Sequence, residues 1–235
     1  MTYALAVESA RTGYGDAQVI ENASLAVGQG EVFALLGKNG AGKTTLLRTI
    51  MGLHPLWSGS ISVCGKNVTG WKTSRIAGLG LAYAPQERSF FPDLSVDENL
   101  RLGSLRVSDE TYRRRRERVI TYFPYIGSRL RQRTGSLSGG EQSMLKVARA
   151  LVAEPDLVLL DEVSEGLQPL AVDRVKMCLS AERERGVSIL LVEQNIDFVS
   201  GLAQRYALMG SGRVVGTGDV QDAHAAARIV AHLAI

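Results

Sequence analysis

Short apolar runs separated by glycine-marked breaks set the pattern of this chain. Residues 3–9 and 19–27 alternate or cluster apolar side chains over short spans, which predicts strands. Residues 31–36 form a compact apolar run that stops at Gly37. Beyond the glycines, residues 44–53 carry apolar side chains at 46, 47, 50, 51 and 53, the spacing of a helix with one buried face. Residues 61–63 read as a strand entering a turn at Cys64-Gly-Lys-Asn, and residues 79–84 as another strand, closed by Pro85.

The pattern changes after Pro85. From about Glu87 to Arg133 charge is dense and β-branched runs are few, which predicts a mostly helical insertion. Sheet-like sequence returns at 157–160 and 188–192, and between them Val172, Val175, Cys178 and Leu179 mark the inner face of a helix. Buried strands alternating with helices predict a parallel α/β core. No repeat of solenoid length and no linker interrupts it.

Composition narrows the class. The 235 residues are 45% hydrophobic and 22% charged, which fits one domain, or one with a substantial insertion, and excludes a disordered chain. Uninterrupted apolar runs, such as those at 157–160 and 189–192, fall far short of the roughly 20 residues that cross a bilayer, so a soluble globular protein is expected. A net charge of +3 does not by itself argue for nucleic acid. Four consecutive arginines, 113–116, predict a solvated helix face, with contact to an acidic partner or lipid headgroups as the alternative. Cys64 and Cys178 are too few and too far apart for a disulfide framework or zinc ribbon, and read as core thiols of a reducing compartment. The first residues lack the basic start of a signal peptide.

Three segments carry chemistry. Gly37, Lys38, Asn39, Gly40, Ala41, Gly42, Lys43 and Thr44 match G-x-x-x-x-G-K-[ST] in full, directly after a predicted strand and at the start of a predicted helix. Glycines let backbone N–H groups converge on phosphate oxygens, and the helix N-terminus adds partial positive charge. Lys43 is expected at the β- and γ-phosphates and Thr44 on Mg²⁺, with Thr45 completing the loop. The alternative is a glycine-rich turn with a chance lysine.

Mg²⁺ also needs a carboxylate. The apolar strand 157–160 ends in Asp161 and Glu162, at the sheet edge where open α/β folds bind ligands. Asp161 is the expected Mg²⁺ partner, and Glu162 the candidate base for the attacking water. The third segment is Leu137, Ser138, Gly139, Gly140, Glu141 and Gln142, preceding a helix whose apolar residues are Leu145, Val147, Ala148, Leu151 and Val152. Ser138 and Glu141 have capping-box spacing, so a well-capped helix accounts for part of it. Two glycines weaken a first turn, and make sense where a helix N-terminus must approach a phosphate closely.

With these segments in this order, the chain resembles the ATP-binding cassette family of ATPases over essentially its whole length. The resemblance implies an α/β P-loop NTPase fold: a RecA-like core with an antiparallel β subdomain over 1–86 and 155–235, and a helical signature subdomain over 87–154. In that family two cassettes sandwich two ATP molecules between the phosphate loop of one and the signature of the other. By position, Tyr14 resembles the aromatic residue that stacks on adenine. Gln86 resembles the glutamine that touches Mg²⁺ and the water and couples to the membrane partner. Ser138 and Gly140, with Gly139 between them, would face the partner's γ-phosphate.

Two departures stand out. Gln194 occupies the position where most cassettes carry a switch histidine, and it cannot become a cation. Val163 and Gln168 stand where proline and aspartate are usual. Residues 164–169 and 192–195 are similar to the ATP-binding subunits of branched-chain amino acid importers, and to urea and short-chain amide relatives. That resemblance implies two separate transmembrane permease subunits, a second cassette, identical or related, and a periplasmic or extracellular solute-binding protein acting indirectly. It also implies a cytoplasmic place at the inner face of the membrane and no nucleic-acid partner. A soluble cassette of DNA repair or translation is the competing class, but a second phosphate loop, a heptad run and paired cysteines are all missing from the sequence. A P-loop kinase or GTPase is disfavoured by Ser138-Gly-Gly-Glu.

Overall fold

Strands β1 (Tyr3–Tyr14) and β2 (Ala17–Gly28) form a long hairpin in the computed structural model, which describes residues 3–86 and 90–234. β1 outruns the predicted strand because its alternation breaks at a bulge: Ser9 adopts φ 48°, and the register shifts between Val7 and Ala10. There follow β3 (Val32–Leu36), α1 (Lys43–Ile50), β4 (Ser58–Val63), β5 (Lys66–Asn67), α2 (Thr73–Ala77) and β6 (Leu81–Ala84). The helical insertion comprises α3 (Val96–Leu102), α4 (Asp109–Tyr122), α5 (Pro124–Gly127) and a 3₁₀ turn (Thr134–Ser136). Its proposed first residue, Glu87, lies outside the described residues. The chain then runs through α6 (Gly139–Leu151), β7 (Leu157–Asp161), α7 (Pro169–Glu184), β8 (Ser188–Glu193) and α8 (Ile196–Ser200). It closes with β9 (Arg205–Gly210), β10 (Arg213–Asp219) and α9 (Ala225–Ala234).

The strands form one curled sheet in the order β5-β4-β1-β2-β10-β9-β3-β8-β7-β6. Pairing among β6, β7, β8, β3 and β9 is parallel, whereas β1, β2, β4 and β5 pair antiparallel. Every residue of β3, β7 and β8 is buried, as expected of strands covered on both faces. Their alternate residues serve two cores. Phe33, Leu35, Leu159 and Leu190 pack with Leu46, Leu47 and Ile50 of α1 and with the antiparallel strands. Ala34, Leu36, Leu160 and Leu191 pack with Leu145, Ala148 and Leu151 of α6 and Val175 and Leu179 of α7. Val96, Leu100, Val119 and Phe123 of the insertion join this second core, so the helices are seated on the sheet without a separate core.

Three sequence expectations need correction. The 113–116 run is not simply a solvated face. Arg113 and Arg114 are exposed, but Arg115 pairs with Glu154 at 2.8 Å and Arg116 with Asp97 at 2.8 Å. Nearby Arg118 pairs with buried Glu182 of α7 and donates to the Leu151 carbonyl at 3.1 Å. These guanidiniums fasten α4 to the core. Second, α1 ends at Ile50, leaving Leu53 exposed in the following turn. Third, Val172 is only half-buried, and Glu182, paired with Arg118, completes the inner face of α7 instead.

Candidate active site

The phosphate loop sits between β3 and α1 for reasons internal to the chain. A β-carbon on Gly37 would lie 2.4 Å from the Met209 carbonyl oxygen, and Gly42, the cap of α1, adopts φ 102° with Ile20 crowding its open side. No acidic residue occupies the first turn of α1, so the positive end of that helix is free for an anion. A cavity of about 200 Å³ is lined by Asn39, Gly40, Gly42, Lys43, Thr44 and Thr45. Gln86, Glu162 and Val19 complete the lining.

Glu162 is the hub. Lys43 Nζ lies 3.2 Å from Glu162 Oε1, and both side chains are buried. Gln194 Nε2 donates to the same oxygen at 2.8 Å, and Gln86 Nε2 donates to Oε2 at 2.7 Å. The ammonium of Lys43 also donates to the carbonyls of Gly37 at 2.7 Å and Lys38 at 3.0 Å. Glu162 itself adopts φ 49°, a left-handed conformation that costs a non-glycine residue roughly 1–2 kcal/mol. Its N–H bonds the Val192 carbonyl at 2.9 Å, pinning the strained residue to β8.

Asp161 lies one residue earlier and is fully buried. Its Oδ1 accepts from the Thr44 hydroxyl at 3.3 Å and its Oδ2 from the Tyr83 hydroxyl at 3.2 Å. Burial raises its pKa above the ordinary carboxylate range, and these two hydrogen bonds pull it partly back. Glu193, at the end of β8, is likewise raised by burial, although it accepts from the Ser164 N–H at 2.9 Å and hydroxyl at 2.7 Å. That pair ties the turn after Glu162 to the end of β8, one residue before Gln194.

The signature segment stands apart. The capping box forms: the Ser138 N–H donates to Glu141 Oε2 at 2.6 Å, and the Glu141 N–H donates to Ser138 Oγ at 3.4 Å. Ser138, Gly139 and Gly140 line a second cavity of about 590 Å³ with Tyr125, Gln168 and Leu170. The two cavities share no lining residue. Tyr14 joins neither. It is exposed at the tip of the first hairpin, its ring 4.4 Å from that of His54, which bonds the Gly13 carbonyl at 2.8 Å.

Sequence reasoning missed several participants. Val19 enters the phosphate cavity from β2. Glu165 Oε2 accepts from Gln86 Nε2 at 3.1 Å, while Asn39, which the loop motif already named, accepts from Gln194 Nε2 at 2.7 Å through its Oδ1. Lys146 of α6 donates to the Gln86 carbonyl at 2.8 Å. For Tyr83 a signal existed, because it lies in the predicted strand 79–84 just ahead of Gln86; the pairing of β6 with β7 then carries it to Asp161.

Comparison with known proteins places the chain in a family. The family model described as ABC transporter matches residues 20–165. The chain is 38% identical to the high-affinity branched-chain amino acid transport ATP-binding protein BraG of Pseudomonas aeruginosa, over 90% of this chain and 91% of that protein. It is 34% identical to the lipopolysaccharide export system ATP-binding protein LptB of Haemophilus influenzae, over 91% and 90%. A solved structure of an ATP-binding subunit of an ABC transporter superposes with a TM-score of 0.84 at 27% identity, covering 96% of this chain and 93% of that one.

Proposed function

The chain belongs to the ABC transporter family as one of its ATP-hydrolysing subunits, and from that premise we propose that it powers uptake of branched-chain amino acids or a related small polar solute. The observation that carries the catalytic part is the convergence of Lys43, Gln86 and Gln194 on the Glu162 carboxylate within 3.2 Å. In this reading the backbone of residues 37–45 and Lys43 hold the ATP phosphates. Glu162 takes a proton from the attacking water, while Gln86 and Gln194 hold the carboxylate oriented for that transfer.

The donor set suits Mg²⁺. The Thr44 hydroxyl and the Asp161 carboxylate are hard oxygen donors 3.3 Å apart, and a cation would offset the cost of ionised Asp161 in its buried position. Phosphate, the Gln86 amide and water would supply the ion's remaining ligands. When bound, Mg²⁺ would neutralise charge developing on the phosphate oxygens.

The separation of the two cavities supports a second cassette in this reading: Ser138, Gly139 and Gly140 would meet a nucleotide held by another subunit. Two transmembrane permease subunits complete the transporter, with a solute-binding protein delivering cargo to them. Among the described residues no helix is long and apolar enough to cross a membrane, so on this reading the chain docks at the cytoplasmic face of those permeases.

BraG supports the import reading and LptB the competing one, lipopolysaccharide export. Deleting the gene and measuring labelled leucine uptake separates them. Uptake should fail, and return with the parental chain but not with Glu162→Gln. Intact uptake with defective lipopolysaccharide export would replace the first reading by the second.

A further inference from the structure

Lys146 sits on α6, eight residues past Ser138 and so about 12 Å further along the helix axis. Its ammonium is half-buried, and burial lowers its pKa against the opposing pull of Glu165 and Asp161. A desolvated ammonium needs acceptors, and this one donates at 2.8 Å to the main-chain carbonyl of Gln86. The β6–β7 ladder ends at Ala84, so Gln86 lies beyond the hydrogen bonds of the sheet. The acceptor is therefore main chain that the sheet no longer holds. Gln86 in turn donates to Glu162 Oε2 at 2.7 Å and Glu165 Oε2 at 3.1 Å.

We propose that Lys146 is a positioning residue for ATP hydrolysis, linking the signature helix to the Glu162 carboxylate through Gln86. The inference rests on the reading of Glu162 as the base. α6 carries Ser138, Gly139 and Gly140 at one end and Lys146 two turns later, so a shift of that helix moves the Gln86 carbonyl and with it the amide on Glu162. Contact at the signature and activation of the water then become one event. Lys146 does this without touching nucleotide, as it lines neither cavity.

Lys146→Met keeps the apolar stem and removes the donor, and Lys146→Arg restores a cationic donor of similar reach. In the full chain, Lys146→Met should lower kcat about tenfold while leaving the Kd for ATP within about twofold, because the phosphate loop is untouched. Lys146→Arg should recover most of the rate. Hydrogen exchange supplies a second readout: the 81–86 peptide should exchange faster in Lys146→Met, with the 37–45 peptide unchanged. Equal exchange in the 81–86 peptide and a parental kcat in Lys146→Met would overturn the inference. Glu162→Gln is the control that separates the two levels. If it hydrolyses ATP at the parental rate, the reading of Glu162 fails and takes Lys146 with it; if it is inactive while Lys146→Met is unaffected, only the role of Lys146 falls.

Discussion

Gln194 and Glu162 share a hydrogen bond of 2.8 Å, and the same amide nitrogen donates its other hydrogen to Asn39 at 2.7 Å. One neutral side chain thus spans the end of β8, the end of β7 and the phosphate loop. Glu162 is oriented by two amides and one ammonium, and only the ammonium carries charge.

Replacing Glu162 by Gln keeps the shape of this hub and removes its basicity. Turnover should fall at least about a hundredfold, the lower end of the range that a positioned general base contributes. ATP binding should persist, because the loop backbone and Lys43 are unchanged. Phosphate release and equilibrium nucleotide binding, measured on the same preparation, test both halves. A parental rate of release would remove Glu162 from the mechanism.

Gln194 also makes a statement about pH. An amide does not titrate, so the parental rate should show no inflection from this position between pH 6 and 8. Gln194→His introduces a group with an ordinary pKa near 6.5, pushed upward by the adjacent carboxylate. Below that pKa the imidazolium stabilises ionised Glu162 and weakens it as a base. The rate of Gln194→His relative to the parent should therefore fall as pH drops from 8 to 6. A constant ratio across that range would show that position 194 does not act on Glu162.

Asp161 offers a test in stability. Burial raises its carboxyl pKa, so the folded chain favours the protonated form more than the unfolded chain does. The stabilisation this gives is full below the unfolded carboxylate range and is lost as pH rises through the folded pKa. At neutral pH ionised Asp161 is then a burden. Asp161→Asn removes it and can keep both contacts, accepting from Thr44 and donating to the Tyr83 oxygen. Asp161→Asn should melt higher than the parent at pH 8, with the margin shrinking toward pH 4, and should lose Mg²⁺-dependent turnover. Melting curves across that pH range decide it, and a lower Tm at pH 8 would contradict the electrostatic account.

What could be read from the sequence was local. The phosphate loop, the acids ending β7 and the cap of α6 are contiguous segments whose spacing encodes backbone geometry, and each lies where its pattern predicts. β10 escaped notice because it alternates exposed and half-buried residues around Gly216 and Gly218, leaving no apolar period to detect, whereas β9 carries a short buried apolar run, Tyr206 to Met209, that the sequence reading passed over. The hub around Glu162 was legible as a set of residues and not as a geometry. Gln194 and Asn39 are 155 positions apart, and only the parallel register of β3, β8 and β7 brings their ends together. The arginines of α4 misled for the same reason, since their partners Glu154 and Glu182 lie on other elements.

The glycines of the two motifs separate internal need from external approach. A β-carbon on Gly37 would strike the Met209 carbonyl at 2.4 Å, and one on Gly42 would strike Ile20 at 2.6 Å, so the chain's own packing requires both. Gly139 meets nothing within 4 Å, and Gly140 meets only Leu167 at 3.7 Å and Gly166 at 4.0 Å. Neither is needed by the fold, and in the first turn of α6 each costs helix stability relative to alanine, up to about 1 kcal/mol. A residue that weakens its own helix without a steric reason inside the chain points to something approaching from outside, which in the proposed function is the phosphate of a nucleotide held by a second subunit. Gly139→Ala should leave the melting temperature unchanged or slightly raised, keep ATP binding to the phosphate loop, and lower turnover at least about tenfold, as a methyl group displaces the phosphate from the helix N-terminus. Melting, nucleotide affinity and phosphate release on one protein separate these effects. Undiminished turnover with the added methyl would mean that no phosphate approaches the start of α6.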